Sequence, residues 1–154
     1  MAQIETDAER IARAAGASGV TIAVAESLTG GAIAQALAKA PDASEWFAGG
    51  VVAYSVETKN RALGVPVGPV VTGPVARQMA EGVRELVGAD VAVAVTGVGG
   101  PDVEEARPPG TVFMAVSHGE ETHVSEHAFE GEPGEIVEQT VAAALLALRD
   151  ALDT

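Results

Sequence analysis

The chain of 154 residues contains no cysteine. Thiol nucleophiles, thiolate metal sites and disulfide frameworks are therefore excluded, and any nucleophile must carry oxygen or nitrogen. Aromatic residues are scarce at 3%, and Trp46, Phe47, Phe113 and Phe129 read as core side chains rather than as a stacking platform. Positive charge is also scarce: 9 Lys and Arg stand against 22 Asp and Glu, a net charge of -13. A surface that negative repels phosphate backbones and anionic bilayers, so neither nucleic acid nor a membrane is expected as a partner. Lysine occurs only at Lys39 and Lys59, the other basic residues being arginine, and acid excess with so little lysine is the pattern expected of a salt-adapted protein. No apolar stretch reaches the roughly 20 residues that span a bilayer, and Met1 to Asp7 lack the basic start and apolar run of a signal peptide. These absences predict a cytoplasmic protein.

What is present is apolar material, 47% of residues, enough for one domain over residues 1–154 to bury about 70% of its extended-chain surface without metals or disulfides. Ile4, Ala8, Ile11, Ala12 and Ala15 recur at helical spacing and predict a first helix that stops at Gly16. A β-branched run at 20–25 predicts a strand, followed by an alanine-rich helix over 32–40 that ends before Pro41. A second strand is expected at 50–54, leading to a short helix at 56–63, and Pro74 opens a helix that ends at Gly88. The near-continuous apolar run 91–96 predicts a central strand covered on both faces. Strands at 111–117 and 122–129 follow, joined by a short turn at His118-Gly119-Glu120-Glu121, the second being acidic enough for a sheet edge. An amphipathic helix over 133–152 closes the chain. The order predicts a three-layer α/β/α sandwich around a mixed, mostly parallel sheet of about five strands in a single domain.

Three strands are followed by polar, glycine-marked segments, and parallel strands would bring all three to one crevice at their carboxyl ends. In the first, Glu26 to Gly31, Ser27 or Thr29 either caps the next helix or lies beside amides that favour an oxyanion, while Gly30 and Gly31 allow close backbone approach. In the second, Tyr54 and Lys59 lie five residues apart across a strand-to-helix junction. Either Lys59 pairs with Glu57 at the surface and Tyr54 plugs the core edge, or both tips enter one cleft, where a lysine of lowered pKa serves as a base for serine. In the third, Thr96-Gly97-Val98-Gly99-Gly100-Pro101 lacks the third glycine of a dinucleotide fingerprint and has proline where a helix should start. No ATPase-type phosphate loop is present. The glycines form either a nest for a polar ligand group or a flexible connector. His123 and His127 do not make the His-Glu-x-x-His pattern, and no metal site is predicted from them. The acids from Glu120 to Glu138 read as a solvated face.

Taken in order, Val24-Ala25-Glu26-Ser27-Leu28-Thr29-Gly30-Gly31, Gly49 to Ser55 with Lys59, Thr96 to Pro101 and Pro109-Gly110-Thr111-Val112 resemble the C-terminal domain of the CinA competence/damage-inducible proteins, the nicotinamide mononucleotide deamidase family. The resemblance covers about residues 5 to 152 and implies an α/β/α sandwich without the separate N-terminal domain of longer members. It implies hydrolysis of the carboxamide of nicotinamide mononucleotide to nicotinic acid mononucleotide and ammonia, a pyridine-nucleotide salvage step with no metal or organic cofactor. By analogy Ser27 is the nucleophile, Lys59 and Tyr54 move its proton, and amides near Thr29, Gly30 and Gly31 hold the oxyanion. Thr96, Gly97, Gly99, Gly100 and Thr111 would shape the nucleotide site. The partners implied are a small-molecule amide or nucleotide and further copies of the chain.

The chain departs from the family pattern at several positions. Val56 replaces an Asn, Asp102-Val103-Glu104-Glu105 replaces a run of glycines, Arg107 replaces a Lys, and no Arg follows the last strand near Gly131-Glu132-Pro133. The changes other than that at Arg107 remove a donor or cation, or add acid, at the expected phosphate end, leaving Arg107 as the candidate for a bidentate phosphate contact. A non-catalytic binding module of the same fold is the alternative to an amidohydrolase.

Overall fold

Valine and alanine alternate along the two central strands, and this alternation builds two unlike faces. The computed structural model describes residues 2–153. Its elements are α1 (Ala2–Ser18), β1 (Ile22–Glu26), α2 (Ala32–Ala38), α3 (Ala43–Trp46), β2 (Phe47–Val52), α4 (Val56–Leu63), α5 (Gly73–Val87), β3 (Val91–Gly97), β4 (Thr111–His118), β5 (Glu121–Ala128) and α6 (Pro133–Leu152). Side chains on a strand point to opposite faces in turn. Val24, Val93, Val95 and Met114 therefore pack with Ile11, Ile33, Leu145 and Leu148 of α1, α2 and α6. Ala23, Ala25, Ala92, Ala94 and Ala115 face the other way, against Met79, Ala80 and Val83 of α5 and Leu63 of α4. The small alanines leave room for the longer side chains of α5, so both helical layers close tightly on the sheet.

The strand order is β2-β1-β3-β4-β5. β1 pairs in parallel with both β2 and β3, while β3–β4 and β4–β5 are antiparallel. Four strands thus share one direction and β4 opposes them, the mixed, mostly parallel single-domain sandwich that the element order predicts. β5 lies at the edge, and Gly119 and Glu120 alone separate it from β4. Among the described residues no helix is long and apolar enough to cross a membrane.

Besides shifts of one or two residues elsewhere, the ends of α1 and β2 differ from the sequence expectation, and one short helix is new. α1 passes through Gly16 and stops at Gly19, whose φ of 70° turns the chain so that the Gly19 and Val20 amides both donate to the Ala15 carbonyl. A glycine inside a helix costs about 1 kcal/mol, and the buried stripe of Ile11, Ala12 and Ala15 outweighs it. β2 begins at Phe47 rather than at 50 and ends at Val52, because its register is set by β1: Ile22 faces Phe47 and Glu26 faces Val52. α3, a four-residue turn of helix, was not expected from the sequence; its Trp46 is buried and donates through Nε1 to the Pro41 carbonyl at 2.9 Å.

Candidate active site

The three segments singled out in the sequence all follow the carboxyl ends of β1, β2 and β3, which the parallel pairing places side by side. Ser27, Leu28, Tyr54, Gly97, Gly99, Gly100, Asp102 and Glu104 line a cleft there of about 180 Å³. It is the crevice in which open α/β sheets bind ligands.

Glu26, the last residue of β1, organises the first wall. It is fully buried, and its carboxylate accepts from the Thr29 hydroxyl at 2.6 Å and from the amides of Gly31, Ile33 and Ala34 at 3.2, 3.0 and 2.9 Å. The carboxylate thereby satisfies the free amides at the start of α2, whose N-cap Gly31 lies at φ 108° and offers no side chain. This corrects two expectations. Neither Ser27 nor Thr29 caps the helix, since Glu26 does so from the strand side. Nor are the Gly30 and Gly31 amides free for an oxyanion, because they donate to the Ser27 carbonyl and to Glu26. Among the described residues the amides of Leu28 and Thr29 have no partner within the protein. Glu26 stands inside the quoted motif, yet its role was missed; a charged residue ending an otherwise apolar strand was the available signal.

The second wall brings in Lys59. Ser55 caps α4, accepting from the Thr58 amide at 3.1 Å, and Lys59 falls on the inward side of the first turns. Only 2% exposed, Lys59 donates through Nζ to Ser27 Oγ at 3.0 Å, to the Ala53 carbonyl at 2.9 Å and to the Tyr54 carbonyl at 3.3 Å. Burial pushes its pKa below the ordinary lysine value, and the charges of Glu105 and Glu104 partly pull it back. The surface alternative for Lys59 does not hold, since Glu57 pairs with Arg61 at 3.0 Å instead. The geometry serves both protonation states of the amine. An ammonium has three donors for three acceptors, whereas an amine keeps two on the carbonyls and turns its lone pair to the serine hydroxyl. Tyr54 enters this arrangement through its carbonyl; its side chain, 69% exposed, lines the cleft without plugging the core edge.

Of the remaining candidates, Gly97, Gly99 and Gly100 line the cleft. Thr96 and Thr111 do not: the Thr96 hydroxyl donates to the Val70 carbonyl and the Thr111 hydroxyl to the Pro108 carbonyl, both at 2.9 Å. Arg107 is drawn away to lie over the Phe113 ring, 5.0 Å from its centroid, so it makes no wall of the cleft. The loop after β3 is not a slack connector. Glu105 accepts from the Val70 and Val71 amides at 2.8 and 2.9 Å, and Glu104 and Arg107 bridge through their backbones at 2.8 and 3.2 Å. His123 and His127 lie on β5, where His123 meets Glu121 and His127 meets Ser125 and stacks on Phe129.

A family model, the CinA C-terminal domain, matches residues 4–152. The CinA-like protein of Geobacter sulfurreducens is 40% identical over 150 residues, covering 94% of this chain and 36% of that protein. A protein of Desulforamulus reducens named for competence-damage inducibility is 47% identical over 133 residues, 83% of this chain and 32% of its own length. The chain thus spans about a third of these curated relatives. The CinA superfamily protein of Klebsiella pneumoniae superposes with a TM-score of 0.93 at 33% identity, over 97% of this chain and 98% of the other. The competence/damage inducible protein CihA of Agrobacterium tumefaciens gives 0.93 at 33%, over 99% and 96%. With both the family model and the solved structures covering almost its whole length, the chain belongs to the CinA C-terminal domain family.

Proposed function

We propose that the protein is a metal-independent amidohydrolase in which Ser27 is the nucleophile and Lys59 the general base and acid. The observation that carries this reading is the 3.0 Å contact between Lys59 Nζ and Ser27 Oγ, made by a lysine 2% exposed and of lowered pKa. The family resemblance supplies nicotinamide mononucleotide as the first substrate to try.

The chemistry follows from that geometry. Neutral Lys59 takes the Ser27 proton as Oγ attacks the carboxamide carbon. The Leu28 and Thr29 amides are available to the resulting oxyanion. The C–N bond then breaks, and the Lys59 ammonium returns its proton to the departing nitrogen, which leaves as ammonia. Lys59, neutral again, deprotonates a water that attacks the acyl-serine ester. The Lys59 proton goes back to Oγ as the ester bond breaks, and the carboxylic acid so released gives its own proton to solvent to become the carboxylate. Proton transfer runs through Lys59 itself, because Nζ reaches the Tyr54 carbonyl and not its ring; Tyr54 holds the amine and contributes to the mouth of the cleft.

The test is ammonia release from nicotinamide mononucleotide, measured at low and high salt, with the wild type, Ser27→Ala and Lys59→Ala. Turnover by the wild type and its loss by at least a thousandfold in both variants is the expected result, as for other nucleophile and base pairs. Tight binding by the wild type without turnover replaces the hydrolase with a binding module.

A further inference from the structure

Resting on the reading of Ser27 and Lys59 as an amide-hydrolysing pair, we propose that this cleft selects carboxamides whose flanking group carries positive or no charge and turns away phosphorylated ones. Asp102 and Glu104 are the residues that set this preference.

The charges on the wall are of one sign. Among the eight lining residues Asp102 and Glu104 are the charged ones, and no arginine is included. Lys59 lies beneath the surface, 2% exposed, its Nζ already engaged by Ser27 Oγ and by the Ala53 and Tyr54 carbonyls, and it is not among the lining residues. The two arginines nearest in the chain are engaged elsewhere, Arg107 over Phe113 and Arg61 with Glu57. A pair of consecutive amides nearby, Val70 and Val71, has the form of an anion nest, and the chain's own Glu105 carboxylate fills it.

The loop that carries the two acids is held in place. Glu105 and Ala106 have φ values of 51° and 60°, a left-handed conformation that non-glycine residues keep only when surrounding contacts impose it. Those contacts are the bonds from Glu105 to the Val70 and Val71 amides and the Glu104–Arg107 bridge. Asp102 and Glu104 therefore stay at the rim. Size completes the argument. At about 180 Å³ the cleft is smaller than the roughly 300–1,000 Å³ of pockets that enclose whole drug-sized ligands. It takes the amide-bearing ring and leaves the rest of the substrate beside two carboxylates. A pyridinium ring is favoured there, and a phosphate is repelled.

The experiment compares nicotinamide riboside with nicotinamide mononucleotide, which share the carboxamide and the pyridinium and differ by the phosphate. At low ionic strength the wild type is expected to favour the riboside in kcat/KM by about tenfold, the scale of two partly screened carboxylates acting on a nearby phosphate. Asp102→Asn with Glu104→Gln should bring the ratio close to one. Glu85→Gln with Glu120→Gln, which removes the same charge at the opposite end of the sheet, should leave it unchanged. Binding of both probes to the Ser27→Ala protein, followed by calorimetry, reads the same preference without turnover. If the wild type hydrolyses neither probe while that binding order persists, the hydrolase reading falls and the selectivity stands. Equal or better use of the mononucleotide by the wild type overturns the proposal. So does a ratio that the rim variant leaves alone or that the remote variant shifts equally.

Discussion

Glu26→Gln is the most informative single change outside the catalytic pair, because it alters one atom in a fully buried group with four donors around it. Three of those donors converge on Oε1 and one, the Ala34 amide, on Oε2. Glutamine can keep its oxygen at the first position only by setting its NH2 group against the Ala34 amide, donor facing donor. The substitution then loses a charge-assisted bond, worth about 1.5–3 kcal/mol, and leaves a buried amide unpaired at about 1–3 kcal/mol. A net cost of about 3–5 kcal/mol follows, a large part of the 5–15 kcal/mol that holds a typical domain. For a chain of this length each kcal/mol moves Tm by about 2–4 °C, so calorimetry should show a fall of about 10 °C. Glu26→Asp keeps the charge but falls a methylene short of α2, and it should lie between. Activity should fall with stability in Glu26→Gln, since the same carboxylate shapes the turn that carries Ser27. A Tm within about 2 °C of the wild type would show that the carboxylate does not hold this turn, and the account of the site's first wall would fail.

The pH dependence of Lys59 gives two further expectations. The base must be neutral, so kcat/KM should rise with pH through the depressed Lys59 pKa and level off below the ordinary 10.5 of a lysine amine; because Glu105 and Glu104 hold that pKa up, Glu104→Gln with Glu105→Gln should move the rise to lower pH, and a profile unmoved by the pair refutes the coupling. In stability, the unfolded chain binds this proton more tightly than the folded one. Relative to Lys59→Met, the wild type should therefore gain stability as pH climbs from the depressed pKa toward 10.5, and gain nothing further above it, as urea denaturation at stepped pH would reveal. Gly110→Ala should be strongly destabilising, by about 3 kcal/mol or more, because Gly110 has φ 93° and a Cβ there would drive into the Phe129 carbonyl; a Tm loss of only a degree or two would mean that the backbone yields where the start of β4 meets the end of β5.

The strands and helices were legible because each rests on a local period: alternation or a solid apolar run for strands, a three-to-four spacing for helices. Boundaries were less so. Gly16 looks like a stop signal when read locally, and only the burial of Ala15 and its neighbours against α6 carries the helix on to Gly19. The start of β2 at Phe47 is likewise set by pairing with β1, a contact between residues more than twenty apart in the chain.

Ser27, Lys59 and the glycines after β3 were visible as candidates because residue type and position at strand ends speak for themselves. The sequence alone also determined that the chain carries no thiol and that its acids outnumber its bases, 22 to 9. What tertiary structure decided was which polar groups are free and which are spent. Glu26 takes the amides at the start of α2, Val70 takes the Thr96 hydroxyl, Phe113 takes Arg107, and Glu105 fills the Val70–Val71 nest. Each of these pairings is made by a hydrogen bond or ring contact effective only over a few ångströms, and residues far apart in sequence reach that range only once the sheet has closed. Burial does the same for Lys59: the chain supplies an ordinary lysine, and the fold removes its water and so lowers its pKa.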